Sequence, residues 1–490
     1  MNPQHPCIDD RMESFAKYLD RSGMDHKKYQ FDGVRWILNN ELALNPVANV
    51  RGGFIADEMG LGKTIMMIGT MLCNFVDKTL IVLPPVLIDQ WYVQIYRTTG
   101  HKAVIYHGER KKRMNLDLLN SAKIVLTTYG AITLSRSQIK NNELTLLHRV
   151  SWGRVIFDEA HHLRNKNTTR YIGARLLQAR IRWLVSGTPI QNRKQDFYSL
   201  CAMIGLPASF YTDNNNLRIL ARSFILKRTK QSVGINMNDV HINNNIVNWE
   251  NTKEMELSES IHSALAFSRV TAKKNIDLLI PTIKTTLALL LCARQSCIYP
   301  KLLKKTFDTM VKNGLMSDYS DYKEALNHSS KLDHAVNKIL QRKDNGCGKL
   351  IFCHFREEID EISIRLKAGG MTKVATFDGR TSNAKRFDVL NDKNEAIILQ
   401  IQTGCEGLNL QENYSEIYFI SPHWNPAVED QAIARCHRIG QTKDVYVERF
   451  EMCKFIDDEQ EVDTMTVDKY VGAVQNGKRL IANEIIEIKN

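Results

Sequence analysis

The sequence predicts an α/β protein made of two parallel-sheet lobes separated by a helical stretch. Three observations carry this expectation. Short apolar runs alternate with amphipathic helical patterns in two separate stretches, as they do where parallel strands are wrapped by helices. The chain has 490 residues, more than one hydrophobic core usually organises. Between the two stretches, from about residue 207 to residue 345, the pattern turns helical with little strand character.

In the first stretch the candidate strands are residues 53–56, 80–83, 123–126, 154–157 and 183–185. In the second they are residues 350–352, 374–377, 396–399, 417–420 and 445–447. The predicted organisation is a first lobe over 1–240 ending in a helical protrusion, a linker and helical insertion over 241–345, and a second lobe with its tail over 346–490.

Hydrophobic residues at 43% and charged residues at 24% are ordinary for a globular protein and argue against widespread disorder. No uninterrupted apolar run reaches the length of a membrane span, and the polar start with His5, Asp9, Asp10 and Arg11 is unlike a signal peptide. An intracellular protein is expected. The 10 cysteines are scattered without a Cys-x-x-Cys pair, and Cys73, Cys292 and Cys353 sit in apolar runs, so reduced core thiols and no structural zinc are expected. A net charge of +12 suits a polyanionic partner, although many basic proteins bind no nucleic acid.

After the first candidate strand comes Asp57-Glu58-Met59-Gly60-Leu61-Gly62-Lys63-Thr64, then a helical pattern from Ile65 to Leu72. Glycines let the backbone curl so that its N–H groups face phosphate oxygens, and the following helix adds its positive end. Lys63 is expected to neutralise the outer phosphates of a nucleotide, and Thr64 to offer its hydroxyl to Mg²⁺. Asp57 stands where the strict phosphate-loop pattern has glycine.

The strand at 154–157 runs into Asp158-Glu159-Ala160-His161. Two carboxylates at the C-terminal end of a buried parallel strand lie where such sheets gather ligands. Asp158 would hold Mg²⁺ and Glu159 would orient and deprotonate the attacking water. An acidic helix start is the alternative use of Asp-Glu. His161 is expected beside the nucleotide, or else as a satisfied structural histidine.

Farther on, Gln431-Ala432-Ile433-Ala434-Arg435-Cys436-His437-Arg438-Ile439-Gly440-Gln441 places two arginines three apart, on one face if the segment is helical. Such a pair can stabilise charge that develops on a γ-phosphate. A solvated basic face is the alternative.

These motifs, in order from Tyr29 to Gln441, resemble the SWI/SNF-type branch of helicase superfamily 2. The likeness also includes Tyr29-Gln30 with Gly33-Val34-Arg35-Trp36, Leu83-Pro84-Pro85 with Trp91, Thr127-Thr128-Tyr129-Gly130, and Ser186-Gly187-Thr188-Pro189-Ile190-Gln191-Asn192. It continues through Leu226-Lys227-Arg228-Thr229-Lys230, Phe377-Asp378-Gly379, Glu406-Gly407-Leu408-Asn409-Leu410 and Trp424-Asn425-Pro426.

The resemblance implies two RecA-like lobes with helical insertions between them and ATP with Mg²⁺ as cofactors. The nucleotide would meet Gln30, which contacts adenine, the loop from Asp57 through Thr64, Gly407, and the arginine fingers Arg435 and Arg438. Ser186, Gly187, Thr188, His161 and Gln431 would couple hydrolysis to movement. Thr127, Thr128, Gln402, Thr403 and Gly404 would contact a DNA backbone, which gives grip without sequence preference. For Trp36, Trp91 and Trp424 core packing is the expectation.

The chain departs from the family where Thr403-Gly404-Cys405-Glu406 replaces an alanine and two glycines, and Arg294-Gln295-Ser296-Cys297-Ile298-Tyr299-Pro300 follows the family segment loosely. Within the family, residues 158–206 are most similar to the branch of Lodestar-type transcription-release factors and repair-associated remodellers, and the compact size is similar to nucleoside triphosphatases of large DNA viruses. The implied activity is a DNA-stimulated ATPase that travels on double-stranded DNA as a monomer, in the nucleus or a viral factory, and displaces bound RNA polymerase, repair or chromatin proteins. A strand-separating DNA or RNA helicase and an ATP-gated scaffold are the rival readings.

Overall fold

The computed structural model describes residues 6–487 except 188–193, 266–285, 405–409, 456–464 and scattered positions between 383 and 391. The chain divides into two compact units, Met1–Asn236 with Leu480–Asn490, and Met237–Arg479.

The first unit is built on the strands β1 (Arg51–Ile55), β2 (Thr79–Leu83), β3 (Val104–Tyr106), β4 (Ile124–Thr128), β5 (Ser151–Asp158), β6 (Gln178–Val185) and β7 (Ile225–Leu226). They form one sheet in the order β3-β4-β2-β5-β6-β1-β7, parallel at every pairing. Every residue of β2 and β4 is buried, as continuous apolar strands require when helices cover both faces of a sheet. Alternation along the strands fills two cores. Leu80, Val82, Val125, Val155 and Phe157 enter one, and Ile81, Leu83, Leu126 and Ile156 enter the other.

A buried ion pair ties the helix Lys28–Glu41 to this sheet. Glu41 Oε1 accepts from Arg154 Nε at 2.7 Å and from Trp183 Nε1 at 2.8 Å, and its Oε2 accepts from Asn74 Nδ2 at 2.7 Å. Because the strands are parallel, β1, β4, β5 and β6 all end on the same edge of the sheet, and the candidate residues collect there.

The second unit holds β8 (Val240–Val247), β9 (Gly348–Cys353), β10 (Val374–Phe377), β11 (Ala396–Gln400), β12 (Tyr414–Phe419) and β13 (Val445–Met452). Their order is β10-β11-β9-β12-β13-β8, again all parallel. The stretch after residue 240, expected to be linker and helical insertion, therefore opens with a strand. β8 carries three consecutive asparagines and is held by its neighbour: it pairs with β13 from Val240 opposite Val445 to Val247 opposite Met452, and Asn243 and Asn245 donate to Glu448 at 2.9 and 2.8 Å. The helices Thr252–His262, Thr286–Ile298 and Ser330–Gln341 follow and pack into the same core as Ile351 and Ile359. Cys73, Cys292 and Cys353 are buried free thiols. Among the described residues no helix is long and apolar enough to cross a membrane.

Candidate active site

β1 stops at Ile55 and the chain turns through residues 56–62 into the helix Lys63–Cys73. Gly60 and Gly62 have φ of 92° and 79°, a left-handed backbone that side chains disfavour. A Cβ on Gly62 would lie 2.4 Å from Gln30 Nε2, and that amide donates to the Leu61 carbonyl at 3.4 Å, so Gln30 lies buried against the loop. Lys63 Nζ donates to the carbonyls of Asp57 at 2.9 Å and Glu58 at 3.4 Å. Thr64 follows in the first helical turn, where N–H groups lack intrahelical acceptors and the helix end is positive. Met59 and Leu61 complete the loop. Gly187 packs on it, since a Cβ there would be 3.0 Å from Met59 Cγ and 3.5 Å from Lys63 Nζ. Ser186 N donates to the Ile55 carbonyl at 3.1 Å, which brings the end of β6 to the same place, while Thr188 lies outside the described residues.

Asp57 has a structural reason to replace glycine. It is fully buried and accepts from Arg228 Nε at 3.1 Å and from Arg228 Nη2, and Arg228 also donates to the Tyr29 carbonyl. Glu58 pairs with Lys230 Nζ at 3.2 Å and accepts from the Lys230 N–H at 2.8 Å. Both residues are among those expected at the nucleotide through the loop backbone, and their carboxylates brace that loop against residues 226–230.

Asp158 ends β5, and three donors fix it. Trp91 Nε1 donates to Oδ2 at 2.8 Å, the Glu159 N–H to Oδ1 at 3.0 Å, and the Tyr129 hydroxyl to the main-chain oxygen at 2.7 Å. Burial and the neighbouring Glu159 charge push the Asp158 carboxyl up to about 6, against the pull of Trp91, the Glu159 N–H and the Lys63 ammonium. Glu159 has φ 50° and ψ 50°, a strained conformation for a residue with a side chain. It precedes the short 3₁₀ helix Ala160–Leu163 without capping it through its side chain, so the acidic helix-start alternative is not what its carboxylate does. Its Oε2 lies 3.3 Å from His161 Nδ1, and the His161 ring lies tilted against the His162 ring with centroids 4.5 Å apart. The first unit thus brings Gln30, Lys63, Thr64, Asp158, Glu159, His161, Ser186 and Gly187 to one sheet edge.

Thr127 and Thr128, expected at a DNA backbone, turn their hydroxyls inward. Thr127 Oγ1 donates to the Tyr106 carbonyl at 2.9 Å and Thr128 Oγ1 lies 3.3 Å from His107 Nδ1, and both residues are buried. What this corner exposes is Gly130.

In the second unit Gln402 is exposed in the short helix Ile401–Gly404, which also contains Thr403, and Gly407 lies outside the described residues. Gln431 is buried in the helix Pro426–Ile433. That helix stops before the arginines, so Arg435 and Arg438 do not share a helical face. They occupy the turns after it, where Arg435 N donates to Ala432 O at 3.1 Å and His437 N to Ile433 O at 2.8 Å. Burial, and then the Arg435 charge, lower the Arg438 guanidinium from its usual value. Among the described residues, Arg435 Nε is buried without a hydrogen-bond partner.

Sequence reasoning missed the contacts of three residues. Trp91 is core as expected, but its bond to Asp158 goes unforeseen, Tyr129 has no role beyond its motif, and Arg228 is unassigned. The available signal is chemical: a buried indole N–H or phenol needs a partner, and a buried aspartate in a loop needs a cation.

A phosphate loop after β1, an acidic pair after β5 and two parallel sheets define a nucleotide-hydrolysing ATPase of the helicase type. Residues 29–339 match the SNF2-related domain and residues 330–440 the helicase conserved C-terminal domain. The chain belongs to the SNF2-related family, as a DNA-dependent ATPase built on two parallel sheets. It is 26% identical to the "Probable global transactivator" of Orgyia pseudotsugata multicapsid polyhedrosis virus, with 94% of this chain and 91% of that protein covered. It is 25% identical to the "DNA excision repair protein ERCC-6-like" of Danio rerio, with 83% of this chain covered but only 33% of that longer protein. Among solved structures, a Sulfolobus solfataricus SWI2/SNF2 ATPase core in complex with double-stranded DNA aligns at 22% identity and a TM-score of 0.39, with 88% of each chain covered.

Proposed function

We propose that the chain is a motor on double-stranded DNA, one that hydrolyses ATP to ADP and phosphate and uses the cycle to move along the duplex and displace or remodel bound proteins. The observation that carries this reading is the convergence of Lys63, Asp158 and Glu159 at one sheet edge of a chain with a net charge of +12.

The donor set suits a magnesium triphosphate: the Lys63 ammonium suits phosphate oxygens, while the Thr64 hydroxyl and the Asp158 carboxylate are hard oxygen ligands of the kind magnesium takes. When bound, magnesium neutralises charge on the phosphate oxygens. Lys63 exchanges its two carbonyl contacts for phosphate oxygens, and the loop backbone from Asp57 to Gly62 wraps them. Gln30, held against Leu61, reads the adenine edge. Glu159 orients the attacking water and takes its proton, with His161 Nδ1 beside it. Arg435 and Arg438 supply positive charge to the γ-phosphate in the transition state, and Gly407 joins the nucleotide contacts. Ser186, Gly187, Thr188 and Gln431 transmit the change.

The corner that follows Thr127 and Thr128, through its exposed Gly130, and the segment Gln402, Thr403 and Gly404 bind the sugar-phosphate backbone, which makes travel independent of sequence. The chain acts as a monomer inside the cell, in the nucleus or a viral factory, on obstacles such as RNA polymerase, repair or chromatin proteins. The test is ATP turnover with and without duplex DNA, beside triplex displacement and strand unwinding. Strong stimulation by duplex and triplex displacement without unwinding are expected, and both are lost in Lys63→Ala and Glu159→Gln. Unwinding would make the chain a strand-separating helicase, and turnover indifferent to DNA would make it a scaffold.

A further inference from the structure

Tyr129 stands where two parts of the first unit meet. It directly follows Thr127 and Thr128, and it is buried with 4% of its surface exposed. Its hydroxyl donates at 2.7 Å to the main-chain carbonyl of Asp158. That carbonyl belongs to the peptide group joining Asp158 to Glu159, and the N–H of the same group donates to Asp158 Oδ1 at 3.0 Å. The peptide plane is therefore held from both ends. Glu159 leaves this plane at φ 50° and ψ 50°, a conformation that persists in a non-glycine residue only where the surroundings over-determine it. The Tyr129 ring also lies 5.0 Å from the ring of His162, in the turn that follows Glu159, and the Arg170 guanidinium sits 6.0 Å over it.

We propose that Tyr129 is the positioning residue that couples duplex binding to hydrolysis: its hydroxyl holds the Asp158–Glu159 peptide in the strained conformation that aims the Glu159 carboxylate, and a DNA backbone bearing on residues 127–130 acts on Glu159 through this bond. The inference rests on the proposed function and deepens it. Tyr129 touches neither nucleotide nor water in this account, so its effect falls on the rate of the hydrolytic step and on how far DNA raises it, and not on the binding of either ligand. The physical requirement is short range. The hydroxyl-bearing side chain belongs to the proposed DNA corner itself, and one hydrogen bond separates it from the Asp158–Glu159 peptide.

Tyr129→Phe tests this in the full chain, because it keeps the ring against His162 and removes only the donor. Four quantities are measured: ATP turnover with and without saturating duplex, KM for ATP, duplex affinity by anisotropy, and amide exchange at Glu159 with and without duplex. The expected result is a fall of about tenfold or more in the duplex-stimulated kcat, the scale of one lost hydrogen bond felt in the transition state. KM and duplex affinity should stay within about twofold, a change small beside that energy. Duplex should alter exchange at Glu159 in the parent chain and leave it unaltered in the variant.

An unchanged stimulated kcat overturns the proposal, and so does an equal fall of the basal and stimulated rates. A parallel loss of duplex affinity overturns it too, since Tyr129 would then be a DNA contact. Thermal unfolding of the variant separates misfolding from these outcomes, and the exchange measurement on the parent chain decides the proposal even if the variant fails to fold. Absence of any duplex stimulation in the parent chain counts against the motor reading itself, and is seen before any variant is made.

Discussion

Replacing Trp91 by phenylalanine isolates the bond that orients the Asp158 carboxylate. The indole is 1% exposed and its N–H donates to Asp158 Oδ2 at 2.8 Å. Phenylalanine keeps an aromatic ring at that place and removes the donor. A hydrogen bond to an ionised acceptor contributes about 1.5–3 kcal/mol. Felt entirely in the transition state, that energy corresponds to a loss of about tenfold to about 150-fold in rate. The smaller ring also leaves unfilled space, which costs the first unit about 1–3 kcal/mol of stability, so chemical unfolding is measured beside activity. The assay is steady-state ATP hydrolysis at saturating duplex over a range of Mg²⁺ concentrations. The fall in kcat should come with a higher Mg²⁺ requirement. KM for ATP should hold, because Gln30 and the Lys63 loop are untouched. A variant that folds normally and keeps its parent's kcat at every Mg²⁺ concentration would refute the idea that Trp91 orients Asp158.

Two stability predictions follow from buried charge. Glu41→Ala strips the partner from Arg154, whose side chain is 1% exposed. A buried cation left this way costs about 3–5 kcal/mol, measurable as a lower denaturant midpoint for the first unit, and a loss below about 1 kcal/mol contradicts the assignment. In the second unit His262 is held down to about 4 by burial, with Nδ1 donating to the Ser258 carbonyl at 2.7 Å and Nε2 accepting from the Val467 N–H at 3.0 Å. Its folded value lies below the unfolded value of about 6.5, so its stabilising effect is complete above that pH and is lost as pH falls toward 4, to a total of about 3 kcal/mol. Denaturation of the second unit between pH 7 and pH 4.5 should show this slope, and His262→Gln should flatten it. An unchanged slope in the variant means that other groups carry the acid sensitivity.

All ten strands expected from apolar runs exist, because a strand covered on both faces must be apolar along its whole length and so announces itself. The three strands that went unseen lack that signal. β3 and β7 are too short to show a pattern, with three and two residues. β8, with its asparagines, is a strand because β13 offers it eight consecutive partners, a case of neighbours overriding propensity. Candidate residues were legible to the same degree. Lys63, Asp158 and Glu159 stand out because chemistry at a strand's end needs those groups in that order. The shared face that Arg435 and Arg438 would have on a helix is absent because the helix ends at Ile433 and both arginines lie in the turns after it.

The sequence alone determined that two α/β lobes exist, that a phosphate loop and an acidic pair follow their strands, and that the chain is SNF2-related, since periodicity and motif spacing are local properties of the chain. Only tertiary structure decided what those groups bond to. The Asp57 carboxylate belongs to Arg228, the Asp158 carboxylate to Trp91, and the strained Glu159 peptide to Tyr129. Each of these pairs joins residues at least 29 positions apart, and a hydrogen bond between distant residues is set by how strands stack into a sheet, which no local pattern records.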